Sequence, residues 1–344
     1  MPRCQSKPLA ITLSFLLLAG ATVPFLAAQS SAVQSFARQP AAAHAAGFQE
    51  AGPTAPLPQW QIDAGGKMAF DVASVKQNKT DDTNRANRPL NNFALSPSDN
   101  LPPTGGRLTS VKVRPNVLIA FAYRLSFGEQ KELKSQLPKW ALAERFDIEA
   151  RAPISNPTKD QFRLMVQSLL ADRFKLMVHT EVRVTPVFGL ELAKAGALGS
   201  QLTPHPEDTS CYTGPLPGQI PGLSVAEGQK LFANMCGELS DVPGNAPGLR
   251  HQTSRNVSMV QIADYLGVAG NLDRLVIDRT GANGRYDFSI DFVPEVSRPP
   301  SSQPAVEGPS FLDALRDQLG LKLVSMRVPL DVLVIDHIEE PSPN

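Results

Sequence analysis

Five histidines, His44, His179, His205, His251 and His337, are the first residues to test for chemistry, and their scatter argues against a metal centre. A zinc site usually takes three or four ligands, often two of them on one helical turn or in a tight loop. The nearest approaches are His179-Thr-Glu181 and Asp336-His337, each in a segment that reads as a strand, where a polar residue on the wet face is the simpler account. H-E-x-x-H does not occur, nor does the G-x-S-x-G elbow of a serine hydrolase or the G-x-x-x-x-G-K-[ST] loop of a nucleotide site. Thr280-Gly-Ala-Asn-Gly284 is too short to cradle phosphates and reads as a turn between Ile277 and Tyr286. A glycosidase carboxylate pair could be drawn from Asp147, Glu149, Asp278, Asp287 and Asp291, because separation in space decides that chemistry. No motif calls for a cofactor.

Of three cysteines, Cys4 precedes an apolar N-terminal stretch, which leaves Cys211 and Cys236 to pair as a disulfide in an oxidising compartment. They bracket a Gly- and Pro-rich segment, Thr213 to Asn234, without clear periodicity. A bond there closes a loop of about 25 residues and stabilises by roughly 3 kcal/mol in the chain-entropy view. The alternative is a thiol nucleophile or metal ligand, for which C-x-x-C spacing is missing and His205 is the nearest histidine.

An aromatic-Asp pair recurs three times: Phe70-Asp71, Phe146-Asp147 and Tyr286-Asp287, the last two preceded by Arg145 and Arg285. Strand alternation turns the aromatic inward and sets Arg and Asp together on the opposite face. Arg145 with Asp147, and Arg285 with Asp287, are therefore either a duplicated ligand site or charged decoration on two anchored strands.

The elements that carry these residues come in a repeated order. Residues 110–193 read as a strand, an apolar helix through Tyr123, the strand Arg145–Ala150, an amphipathic helix ending near Phe174, then two strands, the second opening at Pro186 past a short turn. Residues 254–338 repeat this with a helix through Tyr265, Arg285–Phe288, a helix ending at Leu319, and a last strand opening at Pro329. Val113 and Val257 lie 144 residues apart, Phe146 and Tyr286 140, and Pro186 and Pro329 143, so length changes fall between elements. The expected fold is α+β: an N-terminal strand at 68–75 and a first βαββ unit together occupy 68–195, and a second βαββ unit at 251–340 follows a loop-rich connection at 196–250.

In the second helix of the first unit, Thr158 and Gln161 form a capping box, and Phe162, Met165, Val166, Leu169, Leu170 and Phe174 make one apolar face. Lys159, Asp160, Arg163, Gln167 and Asp172 are expected on the wet side. The matching helix begins at Ser310, buries Leu312, Leu315 and Leu319, and stops at a left-handed Gly320. Val332 to Ile335, apolar on both faces, reads as a strand covered on both sides. A flexible insertion occupies 297–309.

Thirty-three basic and 33 acidic side chains cancel, which removes the net field that would draw nucleic acid or an anionic membrane. Thirty-one prolines indicate long irregular connections. Arg3 and Lys7 ahead of an apolar run from Leu9 to Ala28 have the layout of a secretory signal, cut after Ala28 or Ala32, with an uncleaved membrane anchor as the alternative. Residues 29–67 read as a disordered Ala-, Gln- and Pro-rich leader.

Val276-Ile-Asp-Arg-Thr-Gly-Ala-Asn-Gly-Arg-Tyr-Asp-Phe288, Leu319-Gly-Leu-Lys-Leu323 and Val332-Leu-Val-Ile-Asp-His-Ile-Glu-Glu-Pro341 resemble the soil-associated exported protein family, a domain of unknown function. Phe70-Asp-Val-Ala-Ser-Val-Lys76, Leu137-Pro-Lys-Trp140 and Arg145-Phe-Asp-Ile-Glu-Ala-Arg151 fit the same pattern, so the resemblance spans about 68–340. It implies no activity and no catalytic residue. Weaker likeness to the short N-terminal modules of secretins and TonB-dependent receptors, and to domains attached to membrane metallopeptidases of antibiotic-sensor type, implies an envelope interaction module. The expectation is an exported, periplasmic or secreted protein that binds an envelope protein or peptide without turnover; an envelope hydrolase with a non-local active site is the alternative. Convergent His, Asp and Ser in a deep pocket would favour the enzyme, and an open sheet edge or apolar groove the module.

Overall fold

Alternating burial builds two antiparallel sheets, and two unusually long strands tie them together. The computed structural model describes residues 57–80, 90–243, 248–294 and 307–341; the signal segment, most of the leader and most of the 297–309 insertion lie outside them, and the described end of the leader is not disordered as expected but forms a short helix over Gln59–Asp63. In chain order the elements of the first half are α1 (Gln59–Asp63), β1 (Val72–Gln77), β2 (Leu90–Asn91), β3 (Arg107–Val113), α2 (Pro115–Ala122), α3 (Glu129–Gln136), α4 (Lys139–Ala143), β4 (Phe146–Arg151), α5 (Lys159–Arg173) and β5 (Met177–Leu192). The second half adds β6 (Leu202–Pro204), α6 (Val225–Ala233), β7 (Ser240–Pro243), β8 (Arg250–Val257), α7 (Met259–Ala269), β9 (Leu275–Asp278), β10 (Tyr286–Phe292), α8 (Phe311–Leu319) and β11 (Leu321–His337). The fold class is α+β.

The first sheet has the order β1-β4-β3-β2 and the second β6-β10-β8-β7. In β10, Tyr286, Phe288, Ile290 and Phe292 are buried while Asp287, Ser289 and Asp291 are not, the period-two pattern of a half-covered strand. Helices α2 and α5 close one core around Phe93, Phe146, Phe162 and Phe174, and α7 and α8 close the other around Tyr265, Phe288, Phe292 and Phe311.

Helix α5 starts as its sequence requires, with Thr158 and Gln161 bonded reciprocally, and all six residues of its expected apolar face are buried. Two residues expected on its wet side are not wet: Arg163 is fully buried and Lys159 nearly so, because the 92–100 loop folds over them, whereas Asp172 is exposed and Asp160 and Gln167 are half-buried. Ser310 caps α8 and Gly320 ends it at φ 68°, but Leu312 is 55 % exposed and Phe311 and Ala314 take the inward positions with Leu315 and Leu319.

No turn precedes Pro186 or Pro329. Each lies inside a single long strand, and β5 and β11 pair antiparallel along nearly their whole length, from Leu321 opposite Leu192 to His337 opposite Met177. The sequence suggests a turn because a proline usually opens a strand; here both prolines sit where a strand lacks a hydrogen-bonded neighbour on that side. Val332 to Ile335 are half-buried, so that stretch is not fully covered. The ribbon crosses between the cores: Val178 of β5 and Leu333 and Ile335 of β11 pack on the first, whereas Leu190 of β5 and Leu321 of β11 belong to the second. On its other side β5 pairs with β9, in parallel, only from Val187 to Leu190.

The 196–250 connection is more ordered than its composition suggests. It holds α6, whose Ser224 and Glu227 form a capping box, but α6 buries no residue, so nothing selected an apolar periodicity that the sequence could show. A disulfide joins Cys211 and Cys236, with 5.2 Å between the Cα atoms. Among the described residues no helix is long and apolar enough to cross a membrane.

Candidate functional site

The residues singled out from the sequence do not converge. Asp147 and Asp287 begin the central strands of different sheets and do the same local work in each. The Asp147 Oδ1 accepts the backbone N–H of Lys112 at 2.9 Å, and the Asp287 Oδ1 accepts that of Asn256 at 2.8 Å. Lys112 (φ 58°) and Asn256 (φ 52°) sit in left-handed bulges of β3 and β8, where the ladder shifts register. Each carboxylate therefore satisfies an N–H that the bulge takes out of the ladder. Arg285 bonds Asn256 and Gln261, and the cation beside Asp287 is Arg255, at 3.9 Å. Asp147 is also bonded by the Asn78 amide, and the Asp287 Oδ1 by His205 Nδ1 at 2.6 Å. These geometries give Asp147 and Asp287 a structural task.

The other described histidines also meet carboxylates, but apart from one another: His251 meets Asp291 at 2.9 Å, His337 meets Glu339 at 2.7 Å, and His179 meets both Asp336 at 2.8 Å and Glu181 at 3.2 Å. Among the described residues no group of three or more His, Cys, Asp or Glu is placed to hold a metal.

Two features escaped the sequence reading. One is a sealed polar cluster. The Lys159 Nζ donates to Ser98 Oγ at 3.2 Å, and Ser96 donates to the Glu238 Oε1 at 2.8 Å while Ser98 bonds the same oxygen. Arg163 donates to the Ser98 carbonyl at 3.0 Å, pairs with Asp160 and lies over the Phe121 ring. Burial pulls the Lys159 ammonium down to about 8, an effect Glu238 partly opposes, and burial also lowers Arg163. A serine beside a lysine could in principle be a nucleophile with its base. Here Ser98, Lys159 and Glu238 are each at most 5 % exposed, and the hydroxyl is shared with a carboxylate, so the cluster fastens the 92–100 loop across both halves of the chain.

The other feature is a cavity of about 650 Å³ between α3, the end of α7 and the middle of the β5–β11 ribbon. Helix α3 is polar and buries only Leu133, so hydrophobic patterning does not reveal it; its signal is Ser126-Phe-Gly-Glu129, in which Ser126 and Glu129 bond each other's backbone N–H. At its start, Gly128 lies so close to β9 that a Cβ there would stand 2.5 Å from Leu275 Cδ1. The buried Asp264 of α7 accepts the Gly128 N–H at 3.3 Å, with Phe127 N–H as a second donor, and Lys131 reaches the Leu272 carbonyl. Burial pushes the Asp264 carboxyl up to about 6. Across the cavity, Glu132 meets Arg183 at 3.5 Å, and the Gln136 amide bonds the Leu333 carbonyl and the Ile335 N–H, standing in for a neighbouring strand.

Helix α3 thus bridges α7 and the ribbon. The walls are largely apolar, among them Phe127, Leu133, Val268, Leu330 and Val332, with charges of both signs at the rim. No histidine, serine or cysteine lines it among the described residues. Its dimensions and lining suit a small or segmental ligand with an apolar body and polar ends.

Comparison with the curated proteins finds no match, and comparison with the solved structures finds none either. The family model described as a protein of unknown function (DUF3738) matches residues 116–338, which take in α3, α7, the ribbon and the whole cavity, and the chain belongs to that family.

Proposed function

We propose that this protein binds a ligand without turning it over, and that the ligand seats in the cavity between α3, α7 and the β5–β11 ribbon. The observation that carries this reading is the cavity itself: it is roomy and apolar, and its one buried acid, Asp264, already accepts backbone N–H bonds that hold α3 in place. Export to the envelope is part of the proposal, supported by the N-terminal signal layout and by the Cys211–Cys236 disulfide. The partner is then an envelope protein or peptide rather than nucleic acid, in keeping with a net charge of zero. A duplicated origin for the two halves is likewise proposed; the matched sheet orders and the matched Asp-to-bulge bonds support it.

A photo-crosslinking residue at Val268, which lines the cavity, is compared in the native envelope with one at Val225, exposed on α6 away from it. Specific adducts from position 268 only are expected, and Val268→Trp, which narrows the cavity, should prevent binding. Equal adducts from both positions, or none from 268, would overturn the assignment.

A further inference from the structure

The ribbon and β9 form a third sheet, in the order β11-β5-β9, and the middle of the ribbon is open on the side of β5 that β9 pairs. Gln136 bonds β11 from its outer side at Leu333 and Ile335, so Arg327, Pro329 and Asp331, in the same alternation, also turn their main-chain groups outward. Opposite them across the ladder stand Pro186, Val184 and Val182, whose main-chain groups must turn to the other side, the side on which β9 pairs with β5. The bond from Arg279 N–H to the Leu190 carbonyl, in the same alternation, confirms that direction. Strand β9 occupies only Val187–Leu190, and upstream of it Thr180, Val182 and Val184 have no main-chain partner on that side among the described residues.

The two open edges are not alike. The β11 edge has the features that discourage pairing: Pro329 removes a donor at its centre, and Arg327 and Asp331 flank it. The β5 edge instead presents two β-branched apolar side chains, Val182 at 71 % and Val184 at 63 % exposure. It is continuous with the existing β5–β9 ladder, and Val184 and Pro186 also line the cavity.

Resting on the binding reading above, we infer that the ligand is an extended peptide segment that adds as a strand along Thr180–Val184 of β5, collinear with β9, with alternate apolar side chains packing on Val182 and Val184. Main-chain hydrogen bonds supply the affinity, and the adjoining cavity receives a side chain.

The test uses the full chain and a degenerate library of nine-residue peptides with apolar residues at alternate positions. Val184→Pro removes an outward N–H in the register that Pro186 and Pro329 already occupy, so it leaves the β5–β11 ladder intact. Wild type should retain a subset of the library with amide protection at Val182 and Val184; Val184→Pro should lose at least tenfold of that retention, and Arg327→Pro, on the outer edge of β11 and away from the cavity, none. Should Val184→Pro unfold, N-methylated versions of the retained peptides provide the second arm and should not bind wild type. Retention unchanged by Val184→Pro and by N-methylation, or no retention by wild type, would overturn strand addition, as would concentration-dependent protection of Val182 and Val184 without peptide, which would make the occupant a second copy. If adducts from position 268 persist while the library fails, the cavity reading stands and only strand addition falls.

Discussion

Arg163 shows how one residue can reverse a reading. On a helical wheel it falls at the margin of the apolar face, between Leu170 and Phe174, and only its charge makes it look solvated; it is fully buried, with its guanidinium held by Asp160, by the Ser98 carbonyl and by the Phe121 ring. Its partners are not legible locally, because the residues that cover it come from the 92–100 loop, more than sixty positions away in sequence. Arg163→Ala is expected to destabilise by about 3 kcal/mol or more, since it opens a cavity and strips a buried network of its cation. The same change at exposed Arg316 should leave stability almost unchanged. Urea unfolding of the two variants decides this, and equal effects would mean the loop does not cover α5. Asp264 gives a pH prediction. Its carboxyl is raised by burial from 3.8 to about 6, so the folded state holds the proton more tightly than the unfolded chain does. Stability from this group is fully present below pH 4 and is lost as the pH rises through 6, a change of up to about 3 kcal/mol. Asp264→Asn, whose amide oxygen can still accept from Gly128, should flatten the stability profile across that window and stabilise the protein at pH 7.

At the scale of elements, what was legible is what local physics determines. The caps at Thr158 and Ser310, the left-handed Gly320, the alternation of β10 and the apolar face of α5 all follow from nearest-neighbour chemistry. What was not legible depends on distant partners. The β5–β11 ribbon looks like two short strands because Pro186 and Pro329 punctuate it, and only its pairing across more than 120 residues makes each strand continuous. Helix α3 and the cavity it roofs stayed hidden because α3 docks by polar contacts to Asp264, Leu272 and Arg183 rather than by an apolar stripe. Helix α6 is the extreme case: it buries nothing and is tethered close to the Cys211–Cys236 bond. Reduction should therefore act locally. Amide exchange at Val225–Ala233 is expected to accelerate markedly after reduction while the amides of α5 and β10 stay protected, because neither core is built on the disulfide segment. Loss of protection throughout the chain would show that the bond supports the whole fold.

For the whole molecule, the crossed ribbon decides how the two cores relate. Each core is completed by a strand segment from the other half: β11 brings Leu333 and Ile335 to the first, and β5 brings Leu190 to the second. The buried Ser98–Glu238 contact adds a second tie between distant segments. Neither half can bury its apolar surface alone, so cutting the chain between the two sequence-defined units should leave both pieces incomplete. Residues 68–195 expressed alone are expected to remain unfolded or to aggregate through the unpaired β5. In the intact protein, Leu169→Asp in the first core and Leu266→Asp in the second, each placing a charge at a buried site, should both lower a single shared transition. Local probes distinguish the alternatives. Fluorescence from Trp140, which stacks on Phe174 of the first core, and amide exchange in β10 of the second should move together in either variant. If Leu266→Asp melts β10 while Trp140 keeps its native transition, the cores are independent and the ribbon is a linker; coincident loss makes it the element through which two small sheets become one cooperative structure.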